Sequence, residues 1–304
     1  MSKTYKGDVT GNVVELNLLD ANEGTLPNLG TPTVVTKNTG PNDVTQVVGD
    51  IPANWKQGDS SLKGLVIGSS CTSIGSTAFE GCTGLYGSLV IPDSVTTIGS
   101  YAFRYSSNLT GSLTIPNSVE SIGDGAFNSC IGFNGSLTIP DSVTTIGSSA
   151  FFYCNGFNGS LTIGNSVTSI GTYAFYYCTS LTGSLTIPDS VTTIGSNAFY
   201  MGVFFGPPSW SGALTIGDGI ETLGSRAFQY CSGFTSLTIG NVLTSIGDFA
   251  FKNCSDIIHI YINCGSDKWT GSNALQLTTA LTKIYINNPD PDAAGYNAAW
   301  KTAQ

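Results

Sequence analysis

The chain has 304 residues, enough for one or two ordinary domains, and a formal net charge of −9 with only 10% charged side chains. Between Gly64 and Phe251 the only basic residues are Arg104 and Arg226, against nine acidic ones, so this span repels phosphate backbones and anionic headgroups. That disfavours nucleic acid and acidic membranes as partners, and no apolar run is long enough to span a bilayer.

Residues 1–61 show no periodicity and read as an N-terminal cap, or as a segment that attaches the chain to a larger assembly. Two lysines, Lys3 and Lys6, are not followed by an apolar run of signal-peptide length, so no secretory leader is expected. Val13–Leu18 and Val44–Val47 predict capping strands. The stretch 22–42, rich in Gly, Pro, Thr and Asn, predicts a loop.

From residue 62 to 257 the chain repeats itself eight times. Phe79, Phe103, Phe127, Phe151, Phe175, Phe199, Phe228 and Phe251 each follow an alanine, spaced by 24 residues five times, then 29, then 23. Within a unit such as Leu185–Phe199, Leu-x-Ile alternates and predicts a short strand with both apolar side chains on one face. Proline or glycine then ends the strand. Val-x-x-Ile supplies two more inward residues, and the glycine after it is expected to make a turn with positive φ. Ser-x-Ala-Phe-x-x-Cys predicts one helical turn with Phe and Cys on a shared face. A unit of this kind cannot bury its apolar side alone, so the repeats are expected to stack into a solenoid with a continuous core. Most units carry one residue more than the stretch Phe234–Leu237 allows, which predicts a glycine-containing bulge before the strand.

Leu-x-Ile-Pro, Val-x-x-Ile-Gly and Ala-Phe-x-x-Cys together resemble the BspA-like leucine-rich repeats of bacterial and protist surface proteins, over about residues 62 to 300. The resemblance implies a leucine-rich-repeat solenoid of short parallel strands with atypical ends. It also implies a broad role in adhesion or recognition, without naming a ligand.

The 29-residue spacing marks an insertion at 201–212, where Phe204, Phe205 and Trp210 replace a polar turn. Such a loop is expected either to bind or to fold back over its neighbours. Residues 258–304 continue as degenerate repeats, with Ile260-Tyr-Ile262 and Ile284-Tyr-Ile286 as strands, and close on a short helix over Asp292–Trp300.

Six cysteines share one repeat position, Cys82, Cys130, Cys154, Cys178, Cys231 and Cys254, and are expected to form a ladder of buried, reduced thiols. No Cys-x-x-Cys, zinc-binding or phosphate-binding motif and no nucleophile motif is present, and the single His259 has no catalytic setting. Neither an enzyme nor a cofactor nor a metal is therefore expected.

Two surfaces remain for a ligand. Residues beside the repeat Phe point outward and are often aromatic: Tyr101, Tyr105, Phe152, Tyr153, Tyr173, Tyr176, Tyr177, Tyr200 and Tyr230. With Phe204, Phe205 and Trp210 they are expected to form a recognition patch for a protein or glycan on a cell surface. The strand side instead presents a Ser-x-Thr array, from Ser112 and Thr114 to Ser236 and Thr238, as ice-binding solenoids do. The function expected is a non-catalytic, extracellular recognition or adhesion module. A virion or appendage subunit that binds a receptor is the alternative, and ice binding a remote third.

Overall fold

The structure is a computed structural model that describes residues 33–37, 44–202, 209–263, 273–276 and 280–286. It is a parallel solenoid in which each coil has three sides. Strands are numbered along the chain.

The first side is the Val-x-x-Ile side. Its strands are β4 (Ser73–Ile74), β5 (Thr97–Ile98), β6 (Ser121–Ile122), β8 (Thr145–Ile146), β10 (Ser169–Ile170), β12 (Thr193–Ile194), β14 (Thr222–Leu223) and β16 (Ser245–Ile246). They form one eight-stranded parallel sheet in chain order. Every pairing sets hydroxyl residue against hydroxyl residue and aliphatic against aliphatic, as Ser169 with Thr193 and Ile170 with Ile194.

The second side carries Leu-x-Ile. Here lie β3 (Gly64–Ile67), β7 (Leu137–Ile139), β9 (Leu161–Ile163), β11 (Gly183–Ile187), β13 (Trp210–Ile216), β15 (Phe234–Ile239), β17 (His259–Ile262) and β18 (Lys283–Ile286). The repeat predicts one unbroken ladder, but β7 pairs only β9, and β11, β13, β15, β17 and β18 form a separate five-stranded sheet. Leu89–Ile91 and Leu113–Ile115 stay unpaired as strands, and isolated bridges between Gly87 and Leu109 and between Gly111 and Phe133 hold those coils instead. The extra residue lies just ahead of these strands. Gly87, Gly111, Gly135, Gly183 and Gly212 adopt φ of 76–84°, and the register shifts at Gly183/Leu185 and Gly212/Ala213, which is the expected bulge.

At the N-terminal end β1 (Thr33–Lys37) runs antiparallel to β2 (Val44–Val48), and β2 extends the sheet parallel to β3. Thr33–Lys37 lies inside the stretch expected to be loop; its run of Thr and Val outweighs the turn-forming residues around it. The two strands cover the open edge of β3, as an end unit must. Val13–Leu18 and the closing helix at Asp292–Trp300 lie outside the described residues. A coil ahead of residue 62 already joins the stack, since the amides of Asn54, Lys56 and Gly58 bond to Ser76, Ala78 and Glu80.

The third side carries Ala-Phe, and it corrects two expectations. No helix forms there among the described residues. In each of the first seven units the N–H of the Phe and of the residues two before and two after it point along the solenoid to the next coil. Tyr173, Phe175 and Tyr177 donate to the carbonyls of Ser196, Ala198 and Tyr200 at 3.0, 2.7 and 2.9 Å. The alternate amides close tight local turns instead, as Ala174 to Gly171 and Tyr176 to Tyr173 at 3.2 Å. A helix would aim all of them back along its own axis. Flipping every second peptide requires positive φ at the flanking residues, and Tyr173 and Tyr177 sit at 60° and 58°.

The second correction concerns the glycine of Ile-Gly. It does not show positive φ; it is there for proximity. A Cβ on Gly171 would lie 2.5 Å from the backbone nitrogen of Ser148 and 2.6 Å from the carbonyl carbon of Gly147, and the other units repeat this approach.

The core is columnar. The eight repeat phenylalanines are fully buried and stack ring on ring, centroids 4.8–5.5 Å apart and planes within 12°. Trp55 closes the N-terminal end of the column edge-on, 5.6 Å from Phe79.

Candidate recognition surface

The thiols are internal. Cys71, Cys82, Cys130, Cys154, Cys178, Cys231 and Cys254 are buried and unpaired with one another, and Cys264 lies outside the described residues. Each repeat thiol donates to a backbone carbonyl of the preceding coil: Cys130 to Phe103, Cys154 to Phe127 and Cys178 to Phe151, all at 3.0 Å. Ser106, at the same position, does the same toward Phe79 at 2.9 Å. Seven of the eight units thus place a small buried donor here and Gly202 fills the position in the other, and cysteine supplies the donor with the least polarity. Among the described residues no group of His, Cys, Asp and Glu is placed to hold a metal.

Burial pushes these thiols up from the ordinary 9.0, to about 11 for Cys82 and about 12 for Cys178 and Cys254. Thiols of the unfolded chain ionise from about pH 9, while the folded chain keeps its protons. Their contribution to stability is thus complete below pH 9 and is lost as pH rises through 11 to 12. The melting temperature should fall steeply above pH 9. A thiol reagent at pH 8 should find few reactive groups in the native protein and most of the eight in denaturant. Native mass showing three or more disulfides would refute the ladder.

On the turn side the structure gathers most of the expected aromatic residues into one seam. Phe152, Tyr176 and Tyr200 come from three successive coils and stack face to face, 5.0 Å apart at each step. Tyr173 packs edge-on against Phe152 and Tyr176. Tyr177 packs edge-on against Tyr153, Tyr176 and Tyr200, and Tyr230 against Tyr200 at 5.5 Å. The rings are half-buried, with Tyr173 the most open at 38%. Loss of solvent raises the Tyr176 hydroxyl above its ordinary range, and that of Tyr200 as well. These two hydroxyls therefore stay neutral throughout the physiological range.

Not every expected residue joins it. Tyr101 and Tyr105 form a second cluster, separated from the seam by the coil of Gly125, Asn128 and Ser129. They hold Arg104 between them, its guanidinium 5.2 and 4.5 Å from their rings, while Arg104 also meets Glu80 at 3.2 Å. Trp210 is 3% exposed and faces inward. The five residues gained in the insertion return it to the core position held by Leu181 and Phe234 in flanking coils, and it stacks on Phe234 at 5.1 Å. Trp210 therefore leaves the recognition patch for the core. Phe204 and Phe205 lie outside the described residues. The strand-side hydroxyls are partly spent on the coil itself: Ser136 Oγ accepts from the Ser160 amide at 3.1 Å, and Ser184 Oγ from Ala213 at 3.1 Å.

The profile of the BspA-type leucine-rich repeat region matches in six copies, over residues 50–155, 105–202 and 211–292. No curated protein matches. Similar solved structures include a leucine-rich-repeat protein of Bacteroides ovatus, 20% identical over 84% of this chain and 94% of that one, with a TM-score of 0.44. A leucine-rich cell surface protein of Faecalibacterium prausnitzii is 21% identical over 90% and 98%, with a TM-score of 0.45. The pneumococcal vaccine antigen PcpA is 18% identical over 86% and 87%, with a TM-score of 0.35. With six profile copies spread over most of its length, the chain belongs to the BspA-type leucine-rich-repeat family.

Proposed function

We propose that the chain is a non-catalytic recognition module, working outside the cell, and that its aromatic seam binds a protein. The carrying observation is the backbone under the seam. Tyr153, Tyr173, Tyr177 and Tyr230 all adopt φ of 58–64°. Left-handed backbone costs an ordinary residue about 1–2 kcal/mol, and glycine or asparagine would avoid much of it. Gly81, Gly125, Asn197 and Asn253 do occupy the same positions in other coils. The position imposes that cost on Thr77, Ser149 and Phe249 as well, so what points to a use for the rings is that tyrosine fills it in successive coils, at Tyr153, Tyr173 and Tyr177.

The stacking favours protein over glycan at this surface. A sugar needs an open ring face, and stacking covers both faces of Tyr176 and one face each of Phe152 and Tyr200. Mixed apolar edges and hydroxyls suit a protein interface, where tyrosine often dominates the binding energy. Membership of a family of surface proteins supports the extracellular setting.

The combined variant Tyr153→Asn, Tyr173→Asn and Tyr177→Asn tests the reading. Asparagine suits the backbone, so stability should stay within about 1–2 kcal/mol of the parent, lost packing being offset by relieved strain. Binding to arrayed extracellular proteins should fall by at least tenfold. An unfolded variant would make the rings structural, and a folded variant that still binds would clear the seam.

A further inference from the structure

On the strand side the outward residues change character toward the C-terminal end. Register places Thr186, Thr215 and Thr238 in one row across β11, β13 and β15. The next two strands continue that row with Tyr261 and Tyr285, and the row two residues earlier with His259 and Lys283. Tyr261 and Tyr285 are among the most exposed large side chains, at 40% and 41%. Their rings stack 4.8 Å apart with planes 7° from parallel, and the His259 ring stands 6.5 and 6.0 Å from them. Lys283 is exposed. None of these five strands contains an acidic residue, in a chain whose net charge is −9.

We propose that this row is a binding site for a glycan chain that carries carboxylates, of the uronic-acid type. The rings stack along the row, so the outer face of Tyr261 is turned toward Thr238, whose side chain is too short to cover it. A sugar ring laid over Thr215 and Thr238 sets its C–H face against Tyr261. Its hydroxyls meet threonine hydroxyls, which both donate and accept. The next residue of the chain brings a carboxylate to Lys283 and His259, on a strip with no carboxylate to repel it. A peptide cannot add as a strand beside β17, which is already paired on both sides, by β15 and β18. This site lies on a different side of the coil from the tyrosine seam and stands or falls separately.

Calorimetric titration with an oligogalacturonate, a neutral galacto-oligosaccharide and poly-glutamate tests it at low salt. The oligogalacturonate should bind saturably, and the other two at least tenfold more weakly. Tyr261→Ser with Tyr285→Ser should cost at least tenfold. Lys283→Gln should cost several-fold and flatten the salt dependence. The Tyr153, Tyr173 and Tyr177 variant should bind the oligogalacturonate like the parent. No saturable binding, equal binding of poly-glutamate or of the neutral sugar, or full binding by Lys283→Gln would each overturn the proposal. Lys283 is exposed, so its variant is informative even if the double tyrosine variant fails to fold.

Discussion

Phe151→Ala should lower the unfolding free energy by about 3–5 kcal/mol, read from the midpoint of urea denaturation. Phe151 is fully buried in the middle of its column, 5.4 Å from both Phe127 and Phe175 and edge-on to Phe157. Removing the ring leaves a cavity whose walls are other rigid rings, which collapse poorly. Two interfaces are lost at once, because each coil is held by its two neighbours. Tyr101→Ala, from a ring that is 38% exposed beside Arg104, should cost less than about 1 kcal/mol. Equal losses at the two sites would mean that the inward and outward positions are exchanged.

Gly171→Ala should be nearly as damaging, at or above the roughly 3 kcal/mol that marks the upper end for overpacking by a single methyl group. The added carbon would meet the Ser148 nitrogen at 2.5 Å and Ser148 Cα at 2.7 Å, all of it backbone. A side chain could swing away, but backbone can retreat only by parting the coils, and the Gly171 amide bond to Ile146 at 2.9 Å holds them together. The same denaturation series measures it. A loss below about 1 kcal/mol would show that the coils are spaced more loosely than the structure has them.

Much of this was legible in the sequence, and the residues show why. The spacing of Phe79 to Phe251 sets the coil length, and alternation at Leu-x-Ile and Val-x-x-Ile sets which side chains turn inward. Those are period effects, and the sequence states periods directly. The helical turn was misread because apolar residues three and four apart carry the same signature whether their amides point back along the chain or forward to the next coil. A usable signal was present: glycine and asparagine recur two residues before or after the Phe, at Gly81, Gly125, Asn197 and Asn253, which is the mark of positive φ. Ile-Gly was assigned to a turn because glycine has two reasons to exist, conformation and closeness, and the second shows only in three dimensions. Trp210 looked like a surface anchor until the length of the insertion was counted against the register of Leu181 and Phe234. The Tyr261–Tyr285 pair was visible as a change from Thr to Tyr inside Ile-x-Ile, but its meaning depended on which neighbours stood beside it.

The forward-pointing amides of the third side have a consequence in the electric field of the molecule. From Asn54 to Asn253 the donors that leave a coil on this side point to a carbonyl of the next coil, whereas on the Val-x-x-Ile side amides such as those of Thr168 and Gly171 point back to the preceding one. Peptide dipoles so aligned add head to tail, as they do in a helix, although no helix is present. The solenoid is thus electrically directional along this side, with its positive pole toward the C-terminal coils. That is also the end where Lys252 and Lys283 stand and where the strand side is free of acids. The field is confined to that side, because the backward-pointing amides of the Val-x-x-Ile side run against it.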